Sequence, residues 1–321
     1  MSPETAPPDP AVAVAAVVSP DAPPSAETPG ALWPDLSLLG AALIWGVNLP
    51  VMKLGLHGIA PFAFNALRLL ISVIVLGGLA FRERSRVFDR PPGWQRQILY
   101  YAVTAAGVYQ WAFLLAVTRT TSGNGSLIMA TVPMWTAVLA RLFLNERLSR
   151  TSQLGLAITF LGTLVVVLEK GVSGEESHLT GNFFMLTAAL TWAMGTVQSR
   201  RALKFVSPLR LSAVAAALML PFHFLFAATT LSSIVPHLPQ SSVWVPLLYA
   251  GALSTGLALP MWNYGVGHLG AAHAAVFQNL VPVVAMASAW LLHREPVTLT
   301  QLSGGTLIIT GLVLMRRGRT A

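Results

Sequence analysis

From position 36 onward the chain is a succession of apolar stretches, at approximately 36–55, 60–81, 97–117, 122–143, 151–169, 180–199, 208–229, 243–265, 269–292 and 298–315. A hydrocarbon core about 30 Å thick requires roughly 20 apolar residues per helix, and each stretch is close to that length. The pattern predicts an all-α polytopic membrane protein with ten transmembrane helices. Only 82–96 (RERSRVFDRPPGWQR), 170–179 and 230–242 read as real loops, and the other connections are tight helical hairpins. Residues 1–33 break the pattern, being Pro/Ala-rich with four acids, no Lys or Arg, and one short apolar run at 11–18. That run is too short to span and has no basic stretch before it, so it does not read as a signal peptide. The segment reads as a disordered N-terminal tail.

Composition supports a lipid solvent. Hydrophobic residues make up 54% of the 321 and charged residues 10%, against roughly 25% charged in soluble domains. The absence of cysteine excludes disulfides, thiolate metal sites and cysteine nucleophiles, and neither a metal nor a cofactor is expected. The 20 Lys and Arg against 12 acids would suit nucleic acid unless they mark cytoplasmic loops. Alternating sides from a cytoplasmic N-terminus puts fifteen of them inside and only Lys53, Arg119, Lys170 and Arg294 outside, with Arg68 left within a span. This is the positive-inside asymmetry. It predicts a multi-pass protein of the cell inner membrane with both termini cytoplasmic. Its partners are then the bilayer and a small-molecule substrate, and not nucleic acid.

The chain also repeats internally. Pro133, Glu146, Gly155 and Gly162 match Pro282, Glu295, Gly304 and Gly311 at a constant separation of 149, shared by Tyr100 and Tyr249, while Trp45 and Pro61 match Trp192 and Pro208 at 147. The two repeats, 36–169 and 180–315, hold five helices each, and an odd number inverts the second relative to the first. Inverted repeats characterise secondary transporters, which hold substrate at the midplane and alternate access as one half rocks against the other. Gly155 and Gly162, like Gly304 and Gly311, lie two turns apart on one face, where a neighbouring backbone can approach. Pro133 and Pro282 fall mid-span, where each ring removes a hydrogen bond to the carbonyl of Met129 or Gln278, making a static kink or a hinge. Glu146 and Glu295 end helices ahead of Ser149 and Thr298, which are placed to cap the next helix. Both acids are expected to pair with loop arginines such as Arg147, Arg150 or Arg294.

WGVNLPVMK at 45–53, PFAFNALR at 61–68 and the twin blocks NERLSRTSQLGLAITFLG and HREPVTLTQLSGGTLIITG resemble the EamA-type branch of the drug/metabolite transporter superfamily. The resemblance covers residues 36–315. It implies a ten-helix fold with cytoplasmic termini and a central cavity lined mainly by helices 1, 3, 4, 6, 8 and 9. Members move amino acids, sugars, nucleotide sugars and other metabolites, and YddG-like members export amino acids. Where the first half has Arg68, the second has Ala215, so any role of that arginine is not two-fold symmetric.

Polar residues at membrane depth are costly and mark functional positions. Trp45, Asn48, Gln110, Trp192, Gln278 and Asn279 are the candidates for substrate binding. The amides would orient a zwitterion or hydroxylated solute, and the tryptophans would give apolar walls or cation-facing rings; interhelical bridging and packing are the alternative roles. Arg68, roughly 10 Å below the outer end of helix 2 at 1.5 Å per residue, reads as a structural anchor that snorkels or pairs with carbonyls. Its alternative is a contact with a substrate carboxylate. No Asp or Glu falls mid-span, which argues against proton coupling through a buried acid, and His223 and His273 read as packed neutral rings. GVGHLG at 265–270 has the letters of a dinucleotide fingerprint without its strand context, and neither HExxH nor GxSxG occurs. The chain is therefore not expected to be an enzyme. The sequence favours an exporter of small neutral or zwitterionic metabolites such as amino acids, by alternating access. A sugar or nucleotide-sugar carrier, a channel and an embedded enzyme are the alternatives.

Overall fold

The computed structural model describes residues 32–53, 59–83, 90–120, 122–168, 179–293 and 298–320. The tail expected at 1–33 lies outside the described residues up to position 31, and so do Lys170, Arg294 and Glu295. All regular structure in the described residues is helical, and a helical segment occupies each of the apolar stretches. These are α1 (Trp33–Lys53), α2 (Pro61–Arg82), α3 (Gln95–Val117), α4 (Ser122–Ala130 and Val132–Leu144), α5 (Arg150–Leu168), α6 (Leu179–Ala202), α7 (Pro208–Ala227), α8 (Ser241–Leu248, Tyr249–Thr255 and Ala258–Leu269), α9 (Ala271–Val276, Phe277–Asn279 and Leu280–His293) and α10 (Leu299–Thr320). By length and apolarity, α2, α3, α7, α8 and α10 can cross a membrane, and Ile128–Leu144 and Ala271–Ala285 form shorter apolar helices. The outer surface is apolar, with Ile74, Phe81, Leu142, Phe183 and Leu225 largely exposed. So much contiguous exposed hydrocarbon suits lipid rather than water.

Helix starts follow from local chemistry. Pro61 and Pro208 both stand in the first turn of their helices, where the missing N–H costs no intrahelical bond. Ser149 Oγ accepts the Ser152 N–H at 3.2 Å, capping α5 as expected. Thr298 Oγ1 accepts the Gln301 N–H at 3.2 Å while Gln301 Oε1 accepts the Thr298 N–H at 3.4 Å. That is a reciprocal capping box at the start of α10.

Glu146 departs from expectation. Instead of pairing with Arg147 or Arg150, its two oxygens accept the N–H groups of Ala271 and Ala272 at 3.2 Å each, and Arg200 lies 3.8 Å away. The physical reason is the orphan N–H groups and positive dipole end of α9, which hold a carboxylate better than an exposed arginine does. This also accounts for GVGHLG. Gly270 has φ +88°, and a Cβ there would meet the Glu146 carboxylate at 3.0 Å, while a Cβ on Gly265 would overlap Leu38.

The repeat has a direct physical expression where α5 and α10 pack antiparallel, the most extensive helix pair in the fold. A Cβ on Gly155 would lie 2.6 Å from the Gly311 carbonyl oxygen, and one on Gly162 would lie 2.7 Å from that of Gly304. The repeat operation exchanges 155 with 304 and 162 with 311, so each contact is a copy of the other. The small-residue faces read from the sequence thus meet one another across the two halves.

Two symmetric irregularities interrupt the helices. The first adjoins the two repeated prolines: α4 stops at Ala130 and restarts at Val132, and α9 passes through a 3-10 turn at Phe277–Asn279 before restarting at Leu280. Pro133 and Pro282 therefore lie in the opening turn of the segment that follows each break, where a proline is tolerated. The second was not anticipated. Ala102–Val108 in α3 and Tyr249–Thr255 in α8 are π-helical, with the Tyr109 N–H bonded to the Thr104 carbonyl and the Gly256 N–H to that of Gly251. The two π segments stand 147 positions apart, the separation of the tryptophans and of Pro61 and Pro208.

Candidate functional site

Each π segment is pressed against the second helix of the opposite half. A Cβ on Gly251 would lie 2.7 Å from the carbonyl oxygen of Arg68, and one on Gly107 would lie 2.9 Å from Met219 Sδ. Ser72 Oγ reaches both the Arg68 and Gly251 carbonyls at 2.8 Å, tying α2 to α8. Helices with π turns are frequent at functional sites, and both segments contribute atoms to one polar centre.

That centre is Arg68. Its Nε donates to Asn65 Oδ1 at 2.9 Å, one terminal nitrogen to Thr255 Oγ1 at 3.0 Å, and the other to Gln110 Oε1. These partners come from α2, α8 and α3, so the guanidinium is enclosed by helices of both halves and does not snorkel. All three are neutral. The described acids are engaged elsewhere: Asp35 with Arg316 at 3.3 Å, Glu83 with Arg210 at 3.2 Å, and Glu146 with Arg200. Asn65 in turn faces His223 Nδ1 at 3.3 Å, and His223 Nε2 faces the Ala106 carbonyl of the first π segment at 2.7 Å. Arginine can only donate and a carbonyl can only accept, so the chain has one polarity. Arg68 donates to the Asn65 oxygen, the Asn65 amide donates to His223 Nδ1, and His223 Nε2–H donates to Ala106. The packed histidine of the sequence reading is a link that orients Asn65 under Arg68.

An aromatic box adjoins this network. Trp45 and Trp192 meet edge to face at 5.7 Å, Trp262 lies 5.4 Å from Trp45 and 6.2 Å from Trp192, and Tyr109 lies 4.7 Å from Trp192. Trp45 Nε1 donates to the Ser254 carbonyl at 2.9 Å, next to the threonine that holds Arg68. Tyr109 immediately precedes Gln110, which also binds Arg68. Trp192 Nε1 is buried and has no hydrogen-bond partner among the described residues. Apolar walls, a polarised indole N–H and a guanidinium therefore share one region at the contact of the halves.

Trp45, Trp192, Gln110 and Arg68 are thus brought together. Asn48 lies one turn beyond Trp45 on α1. Gln278 and Asn279 sit in the 3-10 turn of α9, where Gln278 Oε1 and Asn279 Nδ2 are buried without hydrogen-bond partners among the described residues. That turn leads into the strip of α9 that packs on α1, since a Cβ on Gly46 would overlap Val284 and approach the Val281 carbonyl to 3.0 Å. His273 belongs to the short opening segment of α9. Sequence reasoning missed Asn65, Thr255, Tyr109 and Trp262. Asn65 was within reach, because a polar residue three positions before an intramembrane arginine shares its helix face. Nothing local distinguishes Tyr109 or Trp262 from packing aromatics.

Comparison with known proteins places this architecture. The family model described as "EamA-like transporter family" matches residues 32–168 and 179–317. An uncharacterized transporter, YoaV of Bacillus subtilis (strain 168), is 27% identical over 283 residues, covering 87% of this chain and 95% of its own length. A probable amino-acid metabolite efflux pump of Salmonella typhimurium is 29% identical over 288 residues, covering 87% and 93%. A probable terminal-alkyne amino-acid exporter of Streptantibioticus cattleyicolor is 24% identical over 298 residues, covering 89% and 93%. One solved crystal structure matches with a TM-score of 0.72 at 18% identity over 88% of this chain and 95% of that one, a likeness of fold alone. With the same transporter model matched twice, over most of both halves of the chain, the protein is a member of the EamA-like transporter family.

Proposed function

We propose that the chain crosses the inner membrane ten times, with both termini cytoplasmic, and exports amino acids or closely related zwitterions by alternating access. The observation that carries this reading is the environment of Arg68, a guanidinium enclosed by neutral partners beside an aromatic box. Its three bonds leave one N–H on each terminal nitrogen, the pair that a carboxylate takes bidentately. A carboxylate docked there would put its substituent against Trp45, Tyr109, Trp192 and Trp262, whose faces accept apolar groups or an ammonium. The names of the Salmonella and Streptantibioticus relatives support the same cargo. Among the described residues every acid is ion-paired, which supports a facilitator or exchanger over a carboxylate-driven proton antiporter.

Purified protein in proteoliposomes tests the reading. Preloaded amino acid is expected to drive saturable counterflow of labelled amino acid, with sugars and simple amines exchanged far more slowly. An imposed pH gradient is expected to leave the final solute ratio near one. Counterflow of sugars alone would refute the cargo, and accumulation that tracks the pH gradient and collapses with a protonophore would refute the coupling. Orientation is tested separately by Ser85→Cys, Ser177→Cys and Thr320→Cys in this cysteine-free chain. Only position 177 is expected to react with an impermeant maleimide in intact cells, and labelling at 85 would invert the assignment.

A further inference from the structure

A groove of about 530 Å³ lies on the outside of the bundle between the start of α3, the start of α7 and the end of α2, where Ala80 stands roughly 18 Å along α2 from Arg68 at 1.5 Å per residue. Its floor is apolar, and Leu99, Val214 and Leu218 are each about half exposed there. From Arg210 to Leu218 it follows α7 for roughly 12 Å at 1.5 Å per residue. Arginines gather at one end only. Arg90, Arg96 and Arg210 line that mouth, and among the described residues Arg210 is the one of the three paired with an acid, Glu83 at 3.2 Å. The Arg90 guanidinium stacks over Trp94 at 4.6 Å and donates to the Phe205 carbonyl at 3.3 Å, which fixes it at the rim. This end of the bundle is where the ion pairs of Asp35, Glu83 and Glu146 also gather, the basic face read as cytoplasmic.

We infer that this groove is a binding site for an anionic phospholipid, with its phosphate held by Arg90 and Arg96 and one acyl chain lying along Leu99, Val214 and Leu218. A soluble anion would have no use for the apolar floor, and a zwitterionic lipid would bring a further cation to a mouth that carries three arginines against one acid among the described residues. Basic pockets between membrane helices on the cytoplasmic side hold anionic headgroups by the same combination of charge and hydrocarbon.

The test uses purified full-length protein in neutral detergent, incubated with phosphatidylglycerol, phosphatidylcholine or glycerol 1-phosphate, with retained lipid counted by native mass spectrometry. Phosphatidylglycerol is expected to be retained at least about tenfold better than phosphatidylcholine, and glycerol 1-phosphate is expected not to displace it. The double variant Arg90→Gln, Arg96→Gln is expected to lose that preference by about tenfold or more, the scale of two basic headgroup contacts. Val214→Trp fills the groove while leaving both arginines, and it is expected to lower retention as well; it also serves if the double variant does not fold. Equal retention of the two lipids, undiminished preference in a monodisperse double variant, or displacement by glycerol 1-phosphate would each overturn the assignment.

Discussion

Replacing Arg68 with glutamine is expected to lower amino-acid transport at least about thirtyfold, because truncating one member of a buried charge pair costs roughly 2 kcal/mol or more. Glutamine keeps a donor near Asn65 and Gln110 but removes the positive charge and the two remaining N–H groups. Arg68→Lys keeps the charge without the planar fork and is expected to retain part of the rate. The decisive control is the substrate: counterflow of the corresponding amine, which lacks a carboxylate, should fall little in either variant. An equal loss for both solutes would make Arg68 an anchor for the helix bundle, the role first read from the sequence. Undiminished amino-acid exchange in Arg68→Gln would remove it from the site altogether.

The second large effect is structural. Gly155→Leu is expected to abolish folded protein, and Gly155→Ala is expected to destabilise it by about 1–3 kcal/mol as an overpacked site does. Two opposing terms meet at this position. Alanine favours a helix over glycine by up to about 1 kcal/mol, but its Cβ would lie 2.6 Å from the Gly311 carbonyl oxygen and the Met315 nitrogen. Both are backbone atoms, so neither can swing aside and the steric term wins. Gly77 in α2 is the internal control, because nothing lies within 4 Å of its added Cβ. Gly77→Ala is expected to raise the melting temperature in detergent while Gly155→Ala lowers it. A Gly155→Ala protein as stable as wild type would show that α5 and α10 can separate cheaply.

The sequence already carried the helix positions, because bilayer thickness sets the length of each apolar run and Pro61 and Pro208 mark two of the starts. The glycine faces were legible for a similar reason: a spacing of seven is a property of one helix, whatever it packs against. What could not be read depends on contacts between distant segments. The partners of Arg68 come from α2, α3 and α8, and nothing around Thr255 announces that its hydroxyl will face position 68. Glu146 illustrates the same limit, since its local neighbours are arginines while its preferred partners, two N–H groups, lie more than a hundred residues away. The π segments escape prediction for a different reason. AVTAAGV and YAGALST are small-residue stretches compatible with an ordinary helix, and the choice of the fifth carbonyl over the fourth is made by packing against α2 and α7.

Those π segments set the phase of everything that follows them. Each accommodates one residue beyond what an α-helix of the same rise would hold, and one residue of α-helix corresponds to a turn of about 100°. If the residues of 102–108 all adopted regular α geometry, the remainder of α3 would rotate by about that angle. Tyr101, upstream, would keep its bond to Asn263, whereas Tyr109 and Gln110 would swing away from Trp192 and Arg68 together. The wider turn thus holds one wall of the site in register, and a deletion within it would be absorbed where a switch of bonding pattern would not.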